Sequence, residues 1–406
     1  MKTVSLNRGD KLMEPNNIGN IVQYQIYQEM LNPEPNPDKL PVVYEEWEEK
    51  ARAILKDGPY HYVASGAGAG ETMDDNLQAF KRRKLLPKML CNVENRDLSV
   101  HLFNQTLPFP ILQAPIGVQS IIHEDGELGS AKASAELGVP FIASSASTIP
   151  MEQVAEAMGD APKWFQLYWS KDFDIVKSFL KRAEASGYDA IVVTLDTSMM
   201  AWREYDLKNA YLPFLAGEGV GNYFTDPAFC AKLEQSPQED PTSAIMHWTK
   251  VFGNASLTWD DLAFLREHTT LPIILKGILH PEDAKRALEH DVDGIIVSNH
   301  GGRQVDGAIA ALDALPAICD VVAEKVPVLM DSGIRRGSDI IKAIALGAHA
   351  VLVGRPCMYG LAVAGERGVK EVLQNMIADL DLTLGLAGVG SVSDLNQSIL
   401  KKVIDS

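Results

Sequence analysis

Cysteine is scarce. The 406 residues contain four, Cys91, Cys230, Cys319 and Cys357, far apart and without a CxxC pair. This spacing argues against a disulfide scaffold or a structural zinc module and fits a reducing compartment. No run of about 18 apolar residues occurs, so no transmembrane helix is expected. The opening MKTVSLNRGDKLMEPNN lacks the apolar core of a secretory signal. Positive charge is in deficit: 37 Lys and Arg face 54 Asp and Glu, a net charge of −17. That argues against nucleic acid or an anionic membrane as partner. No low-complexity tract or internal repeat stands out. What is present, 46% hydrophobic and 22% charged residues, is a globular composition. A soluble cytoplasmic protein is the expectation.

Residues 1–40 are polar and run into NPEPNPDKLP, a proline-marked arm or linker. VYEEWEEKARAILKDGPYHYVAS follows with helical spacing, Trp47, Ala51 and Ile54 sharing one face. A glycine-rich stretch, GAGAGETMDDN, comes next. From about residue 108 short apolar runs alternate with amphipathic segments. The runs are FPILQAP, PFIAS, KWFQLYW, DAIVVTLD, PIILKG, GIIVSNH, VPVLMDSG and AVLVGRP. Between most of them lie helix-like stretches such as DGELGSAKASAELG, FDIVKSFLKRAEASG, PEDAKRALEH and GSDIIKAIALG. Continuously apolar strands suit a parallel sheet covered by helices. Eight β/α units predict a (β/α)8 TIM barrel, with an open doubly wound sheet as the runner-up. The expected organisation is an N-terminal arm and helical extension over 1–107 and a barrel over 108–406. A long loop after strand four, about 197–257, is read as a lid, and its aromatic residues predict at least partial order.

Barrel active sites lie where strands end. The strand ends here are Gln113 to Gly117, Ser144 and Ser145, Gln166 and Tyr168, Thr194 and Asp196, Lys276, Ser298 to Arg303, Asp331 to Arg335, and Gly354 with Arg355. Core packing does not explain so much polarity. DSGIRRGSD ends strand seven and opens a helix, and GRP ends strand eight. Backbone N–H groups, helix dipoles and the forks of Arg335 and Arg355 would hold a phosphate there. The competing reading is two surface arginines in tight turns. In SNHGGRQVDG after strand six, His300 has the residue type for a general base, and Arg303 for a carboxylate clamp. Asp196 would orient the imidazole, its alternative being a helix cap. Lys276 would offset developing negative charge, or form a Schiff base or an ion pair. Tyr168 and Tyr62 could donate to a substrate oxygen or merely pack. The residues alone thus give a barrel, a bound phosphate, a histidine base and a small carboxylate substrate. Whether the phosphate belongs to substrate or cofactor stays open at this point.

SNHGGRQ resembles the signature of the FMN-dependent 2-hydroxy-acid oxidases and dehydrogenases. YHYVASGAG, LQAPIG, QLYW, TLDT with WRE, ILKG, DSGIRRG and VGRP agree in order, over about residues 40–390. The resemblance implies a barrel holding FMN at the C-terminal face of its strands. It implies that Ala114, Pro115, Ile116 and Gly117 contact the flavin through backbone, with Ser144, Gln166 and Thr194 at the ring edge. Lys276 would lie near the ring's N1 and O2 and Ser298 near the ribityl chain. Asp331, Gly333, Arg335, Gly354 and Arg355 would hold ribityl and phosphate. His300 would be the base oriented by Asp196, Tyr168 would bond the substrate hydroxyl, and Tyr62, Arg203 and Arg303 would bind the carboxylate. No metal is called for. The implied partners are a small 2-hydroxy acid and dioxygen, on a homotetramer or homo-octamer. NIVQYQIYQEML, APIGVQSIIH and YLPFLAGEGVGNYF resemble the lactate 2-monooxygenase branch, with L-lactate oxidase as the alternative outcome. In the family pose Gly117 lies beside the flavin N5, where some relatives carry alanine.

Overall fold

The computed structural model describes residues 18–28 and 39–403. Eight parallel strands close into a barrel: β1 (Ile111–Gln113), β2 (Phe141–Ser144), β3 (Lys163–Tyr168), β4 (Ile191–Thr194), β5 (Ile273–Ile278), β6 (Gly294–Val297), β7 (Val328–Met330) and β8 (Ala350–Val353). Each strand pairs with its neighbour in sequence, and β8 returns to β1 through Val351–Ile111, Leu352–Leu112 and Val353–Gln113. This is the (β/α)8 TIM barrel expected from the strand count. All eight anticipated runs are strands, because both faces of each are buried. One face of the strands fills the barrel interior with Leu112, Ile142, Trp164, Val192, Ile274, Ile296, Leu329 and Leu352. The alternate residues, among them Ile111, Phe141, Phe165, Ile191 and Val351, belong to the layer that the helices cover. A hairpin pairing Val100–Leu102 with Gln105–Leu107 plugs the bottom, where Phe103 meets Trp164 edge-on at 5.5 Å between ring centroids.

The four anticipated connecting helices span Gly126–Leu137, Phe173–Ala185, Pro281–Glu289 and Gly337–Ala345. Local chemistry sets their starts. Asp172 accepts from the Asp174 N–H, and Pro281 opens its helix at a position where no N–H is needed. A last helix, Arg355–Leu386, kinks at Ala364 and Gly365. Helix α1 (Ile18–Gln28) packs on it, and the Gly19 N–H donates to the buried Asp381 carboxylate at 2.9 Å. The prolines between residues 29 and 38 lie outside the described residues.

The segment after the arm forms two helices, α2 (Tyr44–Ile54) and α3 (Asp57–Ala64), with extended backbone at Leu55 and Lys56. Pro59 explains the break: in a continuous helix its ring would clash with the Leu55 carbonyl and it could donate no bond to it. Trp47 and Ala51 are buried as expected, but Ile54, at the end of α2, is 58% exposed.

The stretch after β4 is an ordered insertion. It carries helices at Glu204–Lys208, Gly221–Phe224, Pro227–Cys230 and Pro241–Val251, and a 3-10 turn at Pro213–Ala216. Its own small core stacks Phe214, Trp248 and Phe252, with Tyr223 edge-on to Trp248. Phe252 reaches Tyr168 at the end of β3, 5.4 Å between ring centroids. The insertion is therefore fastened over the C-terminal mouth of the barrel.

Candidate active site

A cavity of about 970 Å3, open mouth included, sits at that mouth. Its wall brings together Tyr62, Ala114, Pro115, Ile116, Gly117, Tyr168, Arg203, Lys276, His300, Arg303, Asp331, Gly333, Arg335, Gly354 and Arg355. The other anticipated residues stand behind the wall. Asp196 backs His300. Ser144 donates to Gln166 at 2.9 Å, Gln166 donates to Thr194 at 3.0 Å, and Ser298 accepts from Lys276 at 3.0 Å. The three strand-end residues Ser144, Gln166 and Thr194 are thus one hydrogen-bonded row, buried under the floor of the cavity.

The loop after β6 is built for close approach. His300, Gly301 and Gly302 have φ of +57°, +66° and +76°. A Cβ on Gly301 would lie 2.7 Å from Arg355 Nη1, and one on Gly302 would lie 2.6 Å from the Met73 backbone nitrogen. The second clash is with backbone and only glycine fits there, while at Gly301 the left-handed backbone itself favours glycine. His300 itself is a non-glycine residue in left-handed geometry, which costs roughly 1–2 kcal/mol and marks a site where the surroundings dictate the backbone. Two contacts dictate it: the Ser298 hydroxyl accepts from the His300 N–H at 3.0 Å, and the Ser332 hydroxyl accepts from the Gly301 N–H at 3.0 Å.

The His300 side chain meets Asp196, Nδ1 to Oδ1 at 2.7 Å, with the Thr197 hydroxyl also donating to that oxygen at 3.0 Å. Burial would raise the Asp196 carboxyl, but His300 and Lys276 beside it hold it down at about 2. Burial lowers the His300 imidazole below its ordinary value, against the pull of Asp196. At neutral pH the pair is therefore a carboxylate and a neutral imidazole. Nδ1–H donates to the carboxylate, which leaves the Nε2 lone pair free to accept a proton. Lys276 keeps its charge: burial opposes it, but Asp331 at 3.3 Å and Asp196 at 3.9 Å raise it above the ordinary value. Burial pushes the Tyr168 hydroxyl up to about 12, so it is a donor across the working range.

The arginines divide their work. Arg203 Nε donates to the Arg303 carbonyl at 3.1 Å, and its Nη2 to Gln304 at 2.7 Å. Arg303 Nη1 donates to the carbonyls of Tyr62 and Ser65, and its guanidinium lies over the Tyr62 ring at 5.1 Å. Burial and the neighbouring Arg203 push Arg303 down to about 9. It is still charged at neutral pH, but as a cation in need of an anion. Arg355 donates to the carbonyls of Val63, Gly301 and Ser65. Those bonds use three of its five N–H groups, so Arg355 ties loops together as well as facing the cavity. Arg335 lies over the Tyr44 ring at 5.2 Å and donates to the Ile334 carbonyl.

Sequence reasoning passed over several residues of this frame. Asn76 and Asn299 exchange amide bonds at 2.9 and 2.8 Å. Asp306 accepts from the N–H groups of Ala69 and Thr72. Together these pin the glycine-rich GAGAGETMDDN stretch to the loop after β6. Asp206, just beyond Arg203, approaches it at 4.0 Å. Asn299 and Gln304 sat inside SNHGGRQ and could have been noticed there. Asn76 and Asp206 carried no signal.

The wall thus presents Arg303, Arg335 and Arg355 with no carboxylate in contact among the described residues, and Lys276 besides. Such a donor set calls for two anions, one at each end. The comparisons with known proteins decide what they belong to. Residues 51–402 match the family model described as FMN-dependent dehydrogenase. The chain belongs to the FMN-dependent 2-hydroxy-acid oxidase and dehydrogenase family. It is 44% identical over 362 residues to the L-lactate oxidase of Lysinibacillus sphaericus, covering 89% of this chain and 93% of that one. It is 42% identical to 2-hydroxyacid oxidase 1 of Mus musculus, covering 89% and 96%. The crystal structure of mandelate oxidase superposes with a TM-score of 0.80 at 34% identity, covering 90% of this chain and all of that one. As a member of this family the protein is an oxidoreductase acting on small 2-hydroxy acids, and its cofactor is FMN. The site fits that cofactor. A phosphate would answer the arginines after β7 and β8, and a substrate carboxylate would answer Arg303.

Proposed function

We propose that the chain oxidises L-lactate and holds the keto acid long enough for peroxide to decarboxylate it, the lactate 2-monooxygenase outcome. Bound FMN supplies the two-electron acceptor and, through dioxygen, the peroxide. Ala114 to Gly117, Ser144, Gln166, Thr194 and Lys276 would hold its ring, Ser298 and Asp331 its ribityl chain, and Gly333, Arg335, Gly354 and Arg355 its phosphate. Arg303, Arg203 and Tyr62 bind the substrate carboxylate, and Tyr168 donates to the substrate hydroxyl oxygen. His300 Nε2 takes the proton that leaves the substrate, and Asp196 balances the imidazolium that results.

In the second half of the reaction, pyruvate meets hydrogen peroxide. The O–O bond and the C1–C2 bond break, and C2 gains an oxygen. Acetate, carbon dioxide and water form. That outcome requires pyruvate to stay. The observation that carries this reading is the ordered insertion fastened over the site, which would slow release. The names of the similar L-lactate oxidases favour the second reading, release of pyruvate and hydrogen peroxide.

An oxygen-electrode assay on L-lactate, with catalase added late and products identified, separates the two. Acetate and carbon dioxide without free peroxide support the first reading. Peroxide with pyruvate overturns it in favour of the second. Met199, Met200 and Trp202, beside Arg203, are 66%, 52% and 72% exposed. Apolar exposure of this kind suits a subunit interface, and the homotetramer or homo-octamer that the family resemblance implies is tested by sedimentation. The four unpaired cysteines suit a reducing cytoplasm.

A further inference from the structure

Glu218 has no part in the chemistry described above, yet it sits at a place where the insertion meets the floor of the site. The floor there is two loops. The loop after β1 carries Gly117, Val118 and Ser120, and the loop after β2 carries Ala146 and Thr148. Ser120 donates to Glu218 Oε2 at 2.5 Å, Thr148 lies 3.3 Å from the same oxygen, and the two hydroxyls are 2.7 Å apart. The Gly219 N–H donates to Thr148 Oγ1 at 2.9 Å. One assignment satisfies every group: Gly219 N–H to Thr148, Thr148 O–H to Ser120, Ser120 O–H to the Glu218 carboxylate. The chain of bonds starts and ends on adjacent residues of the insertion and passes through both floor loops.

The contact is close as well as polar. The Gly221 N–H donates to the Ser147 carbonyl at 3.0 Å. A Cβ on Gly221 would lie 2.0 Å from the Thr148 carbonyl oxygen, and one on Gly219 within 3 Å of Phe214, Val118 and the Ala146 carbonyl. On the far side of Thr148, the fully buried Glu127 takes the backbone N–H groups of Thr148 and Gln119, each at 3.1 Å. Thr148 is therefore gripped from below by Glu127 and from above by Glu218, and the same loops set the space between Gly117 and Ala146.

We propose that Glu218 is a positioning residue that latches the insertion onto the Ser120 and Thr148 loops, and that this latch sets how long the keto-acid product stays in the site. The consequence for products rests on the monooxygenase reading; the latch itself does not. A carboxylate accepting from a hydroxyl makes a charge-assisted bond, whose loss shifts an opening equilibrium about ten- to a hundredfold.

The test uses FMN-loaded full-length enzyme carrying Glu218→Ala, Glu218→Gln and Ser120→Ala. Three quantities are read: the anaerobic rate of flavin bleaching by L-lactate, the rate at which pyruvate leaves the reduced enzyme, and the rate of proteolytic cleavage within the insertion. Glu218→Ala is expected to leave bleaching within about twofold, to speed pyruvate release and cleavage about tenfold or more, and to raise the share of peroxide set free. Glu218→Gln, whose carbonyl still accepts from Ser120, should fall between. If Glu218→Ala does not fold, Ser120→Ala removes the same bond from the floor side. Unchanged pyruvate release in a folded variant overturns the latch, and so does equal loss of bleaching and release. If the unmodified enzyme frees peroxide and pyruvate, the monooxygenase reading fails while faster release in the variants still establishes the latch.

Discussion

Asp196 Oδ1 lies 2.7 Å from Nδ1 of His300, although the two residues are 104 positions apart and sit at the ends of different strands. The relation has two consequences. It selects the tautomer that leaves Nε2 unprotonated, and it places a carboxylate where a positive charge must form during turnover.

The first expected outcome follows from that pair. His300→Gln should give yellow, FMN-loaded protein whose flavin is bleached by L-lactate about 10^2- to 10^4-fold more slowly. Stopped-flow absorbance measures this, and a near-normal rate sinks the base assignment. The pH dependence has a definite sign. The base works when neutral, and burial favours the neutral form. The rise of kcat/KM with pH should therefore lie below the ordinary imidazole value of about 6.5, with a plateau through neutrality. A rise centred above 6.5 contradicts the assignment.

Arg303→Lys should weaken substrate binding more than it slows chemistry. Arg303 already gives Nη1 to the carbonyls of Tyr62 and Ser65. Its remaining N–H groups are the fork offered to a carboxylate. A lysine cannot bond both carbonyls and present a fork, so roughly 1.5–3 kcal/mol of binding should be lost, about ten- to a hundredfold in KM. Steady-state kinetics on L-lactate decide it, and unchanged KM with unchanged kcat would count against the clamp.

The barrel was legible because each of its strands is buried on two faces and therefore reads as an unbroken apolar run. Strand-end polarity then located the cavity, since little but function puts Lys276, His300, Asp331 and Arg355 at such positions. Legibility ended where contacts join distant segments. The Asn76–Asn299 pair spans 223 positions, and Ser120 meets Glu218 across 98. Neither has a local pattern to announce it. The short helices after β4 were equally opaque, because four- and five-residue turns are too brief to show a period. Pro59 was in plain view, but the amphipathic spacing around Trp47 and Ala51 masked the break it causes.

Arg335 offers a test of the phosphate end that keeps substrate chemistry apart. It stacks on Tyr44 and bonds one carbonyl, so it is freer to meet an anion than Arg355. Arg335→Met should raise the FMN dissociation constant about ten- to a hundredfold, the worth of a charge-assisted bond. Riboflavin, which has the ring and ribityl chain but no phosphate, should bind the variant and the unmodified protein alike. Fluorescence titration of both ligands into apoprotein gives the answer. An equal loss for both ligands would mean that Arg335 supports the fold and does not meet the phosphate.

Gly117→Ala probes the floor directly. Gly117 needs no left-handed backbone, so the effect is one of space. The added Cβ would stand 2.4 Å from the Ala146 carbonyl oxygen, closer than real atoms approach. That oxygen accepts from the Val118 N–H at 3.0 Å, so the loops after β1 and β2 cannot separate without straining this bond. Two outcomes are expected. Overpacking should lower stability by about 1–3 kcal/mol, which scanning calorimetry of the FMN-loaded protein detects as a fall of a few degrees. The displaced loops also carry Ser120 and Thr148, the seat of the insertion, so pyruvate should leave sooner and the share of free peroxide should rise. A stable variant with unchanged products would show that the loops yield without disturbing the seat. Destabilisation with unchanged products would confine the role of Gly117 to packing.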